Sequence, residues 1–450
     1  EKETNPDTGE ETTKTLGDLK MKGAIYGGNN QERRTIYGRI NIDVPVKQDS
    51  YKYGMTTATI YGAGYGPSTW SEYTEIDLKN GASVWEVYGG GEAGRVLNAE
   101  SVQKYMNDYR SVQGATEEQW AAAWKLGGGL DPNSPTGYVS NAKTNLSNPL
   151  ARTAEIDDRE TKTYKYNTNV IIHKGAYVGN YAYGGGLGKE GTDMAGSGDV
   201  YGTTYIALLG GEVSKDIYAA GTLGAVYDAY GAKNYTASTT AYIGGGTVRN
   251  VYGGGWKGDV GSTKMTISED EKTATFDPNK EIPGETHVVI GIRQDQAETS
   301  LVNELKKVIG NNATKNDYGI YGGLPAIQRN AYSGGEGGAV FGKANLTLNN
   351  GYIGYGYSTD SLEASAKYGI PGGYYPMIED KTYKVNGVFV PNKRLADCGN
   401  MFGGGYDVRS SVDETSVKIW NGVIRNSVHG GGEIATIGRG AVTPSGTNKS

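Results

Sequence analysis

The chain has 450 residues and a formal net charge of −6, with 72 glycines, 35 tyrosines and 4 phenylalanines. Its Lys and Arg residues are scattered instead of forming a basic stripe, which argues against nucleic acid as a partner. The glycines follow no strict Gly-X-Y period, which excludes collagen, and the alternation of Val, Ile and Tyr with polar residues argues against disorder.

Two further classes of protein are disfavoured by single features. The sequence has one cysteine, Cys398, and no Cys/His cluster at zinc spacing. We therefore expect neither an internal disulfide nor a metal site, and we predict no cofactor. The sequence also has no apolar run of about 18 residues, so we expect no transmembrane segment.

Residues 1–20 are mostly polar and are predicted to precede the folded region. From Ile25 onward, an aromatic residue followed by glycines recurs along the chain, with its clearest copy at Val87–Gly91. We call this pattern the aromatic–glycine motif. Its looser copies include Tyr26, Tyr321 and Tyr332. The structural-repeat residues assigned to it are Tyr88, Gly89, Gly90, Gly91, Tyr183, Tyr218, Tyr252, Phe402 and His429.

Each copy follows a strand–turn–strand unit, as at Glu75–Val87. Apolar and polar residues alternate within the strands, which is typical of half-buried β-strands, and Asn80–Gly81 supplies a tight turn. No unit buries its apolar face alone, so the copies should stack. Short strands without crossover helices predict an all-β fold, a single-stranded parallel β-helix (β-solenoid). We assign it to residues 21–440, followed by a polar tail over 441–450. Because a solenoid needs capped ends, we expect the chain to belong to a longer protein or assembly.

Three insertions interrupt the repeat, at about 99–160, 294–317 and 358–397. The first two contain apolar residues at helical spacing, so we predict short helices there, followed by loop in the first. The third contains Lys384–Val390, which reads as a β-hairpin with Asn386-Gly387 at its turn.

The insertions carry the candidate binding residues, because loops on a repeat scaffold often build its binding face. Trp120 and Trp124 share one helix face. They either hold the inserted helix against the scaffold or form an aromatic platform for a sugar or a protein. Tyr374 and Tyr375 follow Pro371–Gly373, the pattern of an exposed loop, and are the second candidate pair.

No residue is assigned a catalytic role. A polysaccharide lyase or hydrolase would need clustered carboxylates, and the acidic candidates form no dense motif. Of the three histidines, His429 occupies a motif aromatic position and is expected to replace tyrosine in a stack. Glu92, Glu336 and Glu433 follow motif glycines, and we expect solvated edge charges there. The acidic candidates are Asp157, Asp158, Asp193, Asp199 and Asp259, and the remaining histidines are His173 and His287.

Copies of Val-Tyr-Gly-Gly-Gly combined with strand–Asn-Gly–strand units resemble the Gly/Tyr-rich parallel β-helix proteins of bacterial surfaces, in particular large cell-surface proteins of gut-type Gram-negative anaerobes. This resemblance covers roughly residues 24–440, with gaps. Gly337–Val340 is also similar to the repeats of polymorphic outer-membrane adhesins, although the Phe341–Asn345 segment is one residue longer than their Phe-x-x-Asn box. The resemblance implies export and a secreted or cell-surface location associated with the outer membrane, and it implies no catalytic residues.

Three functions follow as hypotheses. The favoured one is a structural or adhesive surface protein that presents loops to a glycan or protein partner on a host or neighbouring cell, as part of a larger surface assembly. The alternatives are a polysaccharide-active β-helix enzyme (lyase or hydrolase) and a phage or fibre module, which would usually form a trimer.

Overall fold

A computed structural model describes residues 2–4, 11–13, 23–30, 35–44, 58–66, 69–79, 81–97, 166–190, 196–227, 237–261, 265–267, 274–276, 284–292, 324–357, 373–385, 388–395 and 398–438. Every regular element in these ranges is a β-strand. The predicted helices in the insertions at 99–160 and 294–317 lie outside the described residues.

Most strands are short, and the two longest have 16 residues each. In the first part of the chain they are β1 (Lys2–Thr4), β2 (Glu11–Thr13), β3 (Ala24–Tyr26), β4 (Thr35–Val44), β5 (Thr59–Tyr61), β6 (Trp70–Leu78), β7 (Ser83–Val84), β8 (Glu86–Tyr88), β9 (Arg95–Leu97), β10 (Thr168–His173), β11 (Tyr177–Val178), β12 (Ala182–Tyr183), β13 (Val200–Tyr201), β14 (Thr203–Tyr218), β15 (Val226–Tyr227) and β16 (Ala237–Tyr252). In the second part they are β17 (Met265–Ile267), β18 (Ala274–Phe276), β19 (Gly284–Ile290), β20 (Ala326–Ile327), β21 (Ala331–Tyr332), β22 (Val340–Leu348), β23 (Tyr352–Ile353), β24 (Tyr355–Tyr357), β25 (Tyr374–Pro376), β26 (Ile378–Val385), β27 (Val388–Leu395), β28 (Met401–Phe402), β29 (Ser411–Ile419), β30 (Val423–Ile424), β31 (Val428–His429) and β32 (Thr436–Ile437).

A single sheet of 24 strands dominates the fold, and its paired strands are parallel. The prediction of an all-β chain built on parallel strands is therefore confirmed for the described residues. Four antiparallel pairs lie outside this sheet, namely β1–β2, β17–β18, β24–β25 and β26–β27. The last of these pairs is the hairpin predicted around Asn386-Gly387.

The parallel pairings sort into four ladders, which the chain visits in the same order in successive repeats. The first ladder is β4, β6, β10, β14, β16, β19, β22 and β29. The second is β7, β11, β14, β16, β20, β23 and β30. The third is β3, β5, β8, β12, β14, β16, β21, β28 and β31. The fourth joins the start of β4 and β6 to β9, β13, β15, Val260, the start of β22 and β29, and β32.

In-register pairing places like residues on top of one another, and this builds the core. In the first ladder, the alternating burial of β10 and β19 points every second side chain inward. Each fully buried Ile, Leu or Val of this kind stabilises the fold by about 1.5–3 kcal/mol. One inward column of the main hydrophobic cluster is Leu78, Ile172, Leu208, Ile243, Ile290 and Leu348.

Candidate functional site

The aromatic residues of the motif form one continuous stack along the third ladder. Neighbouring ring centroids lie 4.7–5.1 Å apart, and neighbouring planes differ by 3–13°. Parallel strands are about 4.8 Å apart, so in-register pairing alone brings the rings to stacking distance. The stack consists, in order, of Tyr26, Tyr61, Tyr88, Tyr183, Tyr218, Tyr252, Tyr332, Phe402 and His429. Tyr61 is a further copy of the motif that was not recognised from the sequence, although Ile60-Tyr61-Gly62 carries the signal. The motif copy at Tyr321 lies outside the described residues.

The motif glycines allow close approach between backbones of successive repeats. A Cβ at Gly89 would lie 2.2 Å from the carbonyl oxygen of Gly184, and one at Gly90 would lie 2.7 Å from the amide nitrogen of Gly186. Both obstacles are backbone atoms that are themselves held in the ladder, so neither can move aside. The glycines are therefore required for the close approach of the chain at this corner of the scaffold.

A column of threonines in the first ladder closes this corner from inside. The hydroxyl of Thr74 donates to the carbonyl of Gly89 at 2.6 Å, and Thr168 donates to Gly184 at the same distance. The repeat of β22 lacks this hydroxyl, because Ala344 occupies the threonine position. There, Ser333 from the preceding motif donates to the carbonyl of Gly403 instead. The same threonine contact recurs for Thr204, Thr239, Thr286 and Thr415.

Beside the ring stack runs a column of polar side chains, which we call the polar ladder (Asp216, Asn250, Asn330, Asn400 and Ser427). Each side-chain Oδ1 accepts a hydrogen bond from the backbone amide of the next member at 3.0–3.2 Å. Asp216 is buried, and its carboxylate also accepts two hydrogen bonds from the Arg249 guanidinium, one of them 2.8 Å long. The Arg249 contact compensates the burial of that charge.

Three tyrosine hydroxyls of the stack donate to carboxylates of later motifs. Tyr26 donates to Glu92, Tyr218 donates to Glu336, and Tyr332 donates to Glu433 at 2.5 Å. In each case the glutamate belongs to a motif two rings further along the stack.

These carboxylates are therefore bonded to the scaffold and are not simply the solvated edge charges that we expected. Burial raises the pKa of Glu336, and burial followed by the Glu92 contact raises the pKa of Tyr26. Glu92 also forms an ion pair with Lys189 at 2.8 Å.

Of the candidate binding residues from the sequence, the structure describes Tyr374 and Tyr375. Tyr374 is buried at 6% exposure in β25, where its ring stacks on Tyr352 at 4.1 Å and its hydroxyl donates to the carbonyl of Leu324. Tyr374 is therefore not in an exposed loop. Its ring packs beside the second ladder. Tyr375 is half-buried. Trp120 and Trp124 lie outside the described residues.

The two acidic candidates that the structure describes, Asp199 and Asp259, accept hydrogen bonds from backbone amides. Asp199 is buried at 4% exposure and accepts a hydrogen bond from the amide of Ala225 at 2.9 Å. Burial raises the pKa of Asp199 to about 6. Asp259 accepts from the amide of Ala339 at 2.8 Å, and burial raises its pKa as well. The remaining acidic candidates, Asp157, Asp158 and Asp193, lie outside the described residues.

The histidines also have local partners. His173 Nε2 lies 2.6 Å from Asp77 Oδ1, and His287 Nε2 lies 3.4 Å from a Glu285 carboxylate oxygen. Among the residues that the structure describes, no group of three or more His, Cys, Asp or Glu side chains is placed to hold a metal ion. Those same ranges contain no helix long and apolar enough to cross a membrane.

Comparison of this chain with protein-family models, with curated proteins and with solved structures finds no match.

Proposed function

We propose that the chain is a single-stranded parallel β-helix that acts as an exported structural or adhesive surface protein. It would be secreted or displayed at the outer membrane of a Gram-negative bacterium, with a glycan or a protein on another cell as its partner. The observation that carries the proposal is the unbroken ring stack, because it supports a stiff scaffold running through every described repeat.

The spacing of the rings supports a presenting role for the insertions. Tyr88 and Tyr183 are separated by a long insertion, yet their rings stack at 4.7 Å and 4°. Tyr183 and Tyr218 are joined by a much shorter connection and stack at 4.9 Å and 9°. The scaffold geometry is thus independent of what is inserted, which leaves the insertions free to carry a binding surface.

The alternative of a polysaccharide-active enzyme receives less support. Glycoside hydrolysis requires a pair of carboxyl groups free to act on the substrate. In the described part of the chain, Asp199 and Asp259 are instead engaged with backbone amides of the next repeat. No observation favours the fibre hypothesis over the surface protein.

The test is a glycan and protein array probed with the full chain and with three deletion variants. One variant lacks 99–160, which carries Trp120 and Trp124, and one lacks 358–397. The third lacks only the β26–β27 hairpin (378–395) and keeps the packing of Tyr374 on Tyr352.

We expect specific signals for the full chain and their loss in at least one deletion variant whose circular dichroism and thermal unfolding match those of the full chain. A silent array for the full chain would refute the adhesive role. Signals that persist in every variant would refute presentation by these insertions.

A further inference from the structure

The first of the three glutamates bonded by stack tyrosines, Glu92, shows which group its surroundings can hold. Its carboxylate forms an ion pair with the ammonium group of Lys189 at 2.8 Å. The same ammonium group lies 4.4 Å from the centroid of the Tyr65 ring, within the range of about 6 Å for a cation–π contact. Tyr65 belongs to the repeat before Glu92, and Lys189 belongs to the repeat after it. An aromatic ring and a carboxylate of consecutive repeats therefore hold an ammonium group together.

Trp256 and Glu336 form the same kind of pair four repeats further along the ring stack. Each of them is the fourth residue after its motif aromatic, as Tyr65 and Glu92 are. Glu336 accepts a hydroxyl from the tyrosine two rings earlier in the stack, and so does Glu92. The exposed fractions of the two rings are also alike, at 38% for Trp256 and 41% for Tyr65. The second pair therefore offers an aromatic ring and a carboxylate in the same arrangement at the surface.

The second pair lacks the lysine that occupies the first. The residue before Lys189 donates its amide to the carbonyl of Glu92 at 2.9 Å. The residue before Val408 likewise donates its amide to the carbonyl of Glu336 at 2.7 Å. Val408 therefore stands at the position of Lys189, where it is 69% exposed and brings no ammonium group.

The carboxylate of Glu336 has no ion pair with a Lys or Arg of the described ranges. Lys257 approaches the Trp256 ring to 5.1 Å, but its ammonium group lies 3.6 Å from a carboxylate oxygen of Glu190. Glu190 belongs to a repeat before Trp256, whereas Glu336 belongs to the repeat after it, so Lys257 is engaged away from Glu336. Two more cations near this edge have carboxylates of their own, Arg249 with Asp216 and Arg409 with Asp407. Glu336 is half-buried, and a partly desolvated carboxylate gains from a cation beside it.

Exposed aromatic and aliphatic side chains beside Glu336 suit the stem of a long cationic side chain. Tyr406 has the same motif position one repeat after Glu336 and is 36% exposed. Trp256 and Tyr406 are thus two strand spacings apart along the stack, about 9.6 Å, with Glu336 in the repeat between them. The methylene groups of a lysine pack on such surface, which includes Val408, while the ammonium group keeps a polar partner.

We propose that Trp256 and Glu336 bind the side-chain ammonium group of a lysine on a protein partner, and we call this the Trp256–Glu336 site. The ammonium group pairs with the carboxylate and contacts the indole ring, in the way that Lys189 occupies the first pair. A lysine is favoured over an amino sugar because a lysine of this chain occupies the equivalent pair. The inference rests on the proposed adhesive function and narrows its partner to a protein.

Isothermal titration calorimetry with Nα-acetyl-lysine methylamide would measure binding of the lysine side chain alone. Nα-acetyl-norleucine methylamide, which lacks the ammonium group, is the neutral comparison, and methyl glucosaminide represents an amino sugar. The parent protein and every variant carry Glu433→Gln, because Tyr406 and Glu433 form a third pair of this kind at the last described motif. Circular dichroism and thermal unfolding would show that each variant is folded like the parent.

We expect the lysine probe to bind the parent, and the norleucine probe and methyl glucosaminide to bind at least tenfold more weakly. Glu336→Gln should weaken binding of the lysine probe at least tenfold, because it removes the charge but keeps an acceptor for the tyrosine hydroxyl. Val408→Lys should weaken binding as much, because the chain then supplies its own ammonium group. Glu414→Gln is the matched control and should bind like the parent, since that carboxylate pairs with Lys343 in the first ladder.

The reverse change tests the equivalence of the two pairs. Adding Lys189→Val to Glu336→Gln removes the lysine that occupies the first pair, so we expect the double variant to bind the lysine probe again. The inference is overturned if the probe does not bind the parent, if Glu336→Gln or Val408→Lys binds it as tightly as the parent, or if methyl glucosaminide binds more tightly. A double variant that stays without binding would overturn it as well, because the first pair would then not recruit an ammonium group.

The array separates this failure from a failure of the proposed function. Array signals that are confined to glycans, or that survive in Glu336→Gln, would remove the lysine site and leave the adhesive role intact. An array that is silent for every form of the protein would refute the adhesive role, whereas binding of the lysine probe is measured separately by calorimetry.

Discussion

Ser333 and Ala344 give the sharpest test of the stacked corner, because the hydroxyl that closes this corner lies on a different residue in their repeat. In most other repeats a threonine of the first ladder donates to the first carbonyl of the motif, as Thr286 does to the carbonyl of Ser333. In the next repeat Ala344 occupies the threonine position, and the hydroxyl of Ser333 donates to the carbonyl of Gly403 instead. Ser333 is fully buried, so Ser333→Ala leaves the Gly403 carbonyl without this donor.

The expected loss follows from the energetics of a buried acceptor. An unsatisfied buried polar group costs about 1–3 kcal/mol. Adding Ala344→Thr to Ser333→Ala restores the arrangement of the other repeats, and Ala219 shows that alanine is accepted at the Ser333 position. We therefore expect the double variant to recover most of the loss. This is a coupling between the two positions that neither single change reveals.

Hydrogen–deuterium exchange of peptides around 398–419 is the suitable assay, because the stability of stacked repeats is largely local. A loss of about 1–3 kcal/mol corresponds to roughly 5- to 150-fold faster exchange. Ser333→Ala should show this acceleration, and the double variant should return close to the original rate. Unchanged hydrogen–deuterium exchange in Ser333→Ala would refute the stabilising role of the Ser333 hydroxyl. A double variant whose amides exchange as fast as those of the single variant would refute the idea that a threonine at position 344 can replace it.

Two further predictions concern burial and close packing. Asp199→Asn should stabilise the protein above pH 6 by up to about 2–3 kcal/mol in urea unfolding, because the folded pKa of about 6 exceeds the unfolded value near 3.9. The stability that protonated Asp199 contributes is complete below about pH 4 and is lost as the pH rises through 6, so an advantage of the variant that persists below pH 4 would contradict this cause. Gly90→Ala should lower the unfolding midpoint through a clash costing about 1–3 kcal/mol or more, whereas Gly431→Ala is the control, since its nearest neighbouring atom lies at 3.9 Å. Equal midpoints for the two alanine variants would show that the corner is not tight.

The repeated motif and the strand alternation were enough to predict parallel β-strands, because both depend on local sequence. The carboxylate contacts could not be predicted in the same way. Tyr26 and Glu92 are 66 residues apart, whereas Tyr218 and Glu336 are 118 apart. The contact always spans two repeats, but insertions of different length intervene, so no sequence period reveals it.

Tyr374 shows the opposite limitation, in which a local signal was misleading. Pro371–Gly373 has the composition of a surface loop, and Gly373 has a φ of 93°, as turns often require. The ring that follows is nevertheless buried against Tyr352. The composition of a segment predicts its backbone conformation, such as a turn. Whether a side chain in it is buried depends on whether a residue of another repeat offers a surface to pack against, which local sequence does not show.

The energetics of the stack explain why the scaffold tolerates long insertions. Doubling the length of a flexible loop costs only about 0.6 kcal/mol in closure entropy. A repeat buries several Ile, Leu or Val side chains, each worth about 1.5–3 kcal/mol, and adds a ring to the stack. Register is therefore set by the residues that pair and stack, and the connection contributes little to it. A scaffold of this kind can change its insertions without changing its own geometry, which is the physical basis for proposing that the insertions contact the partner.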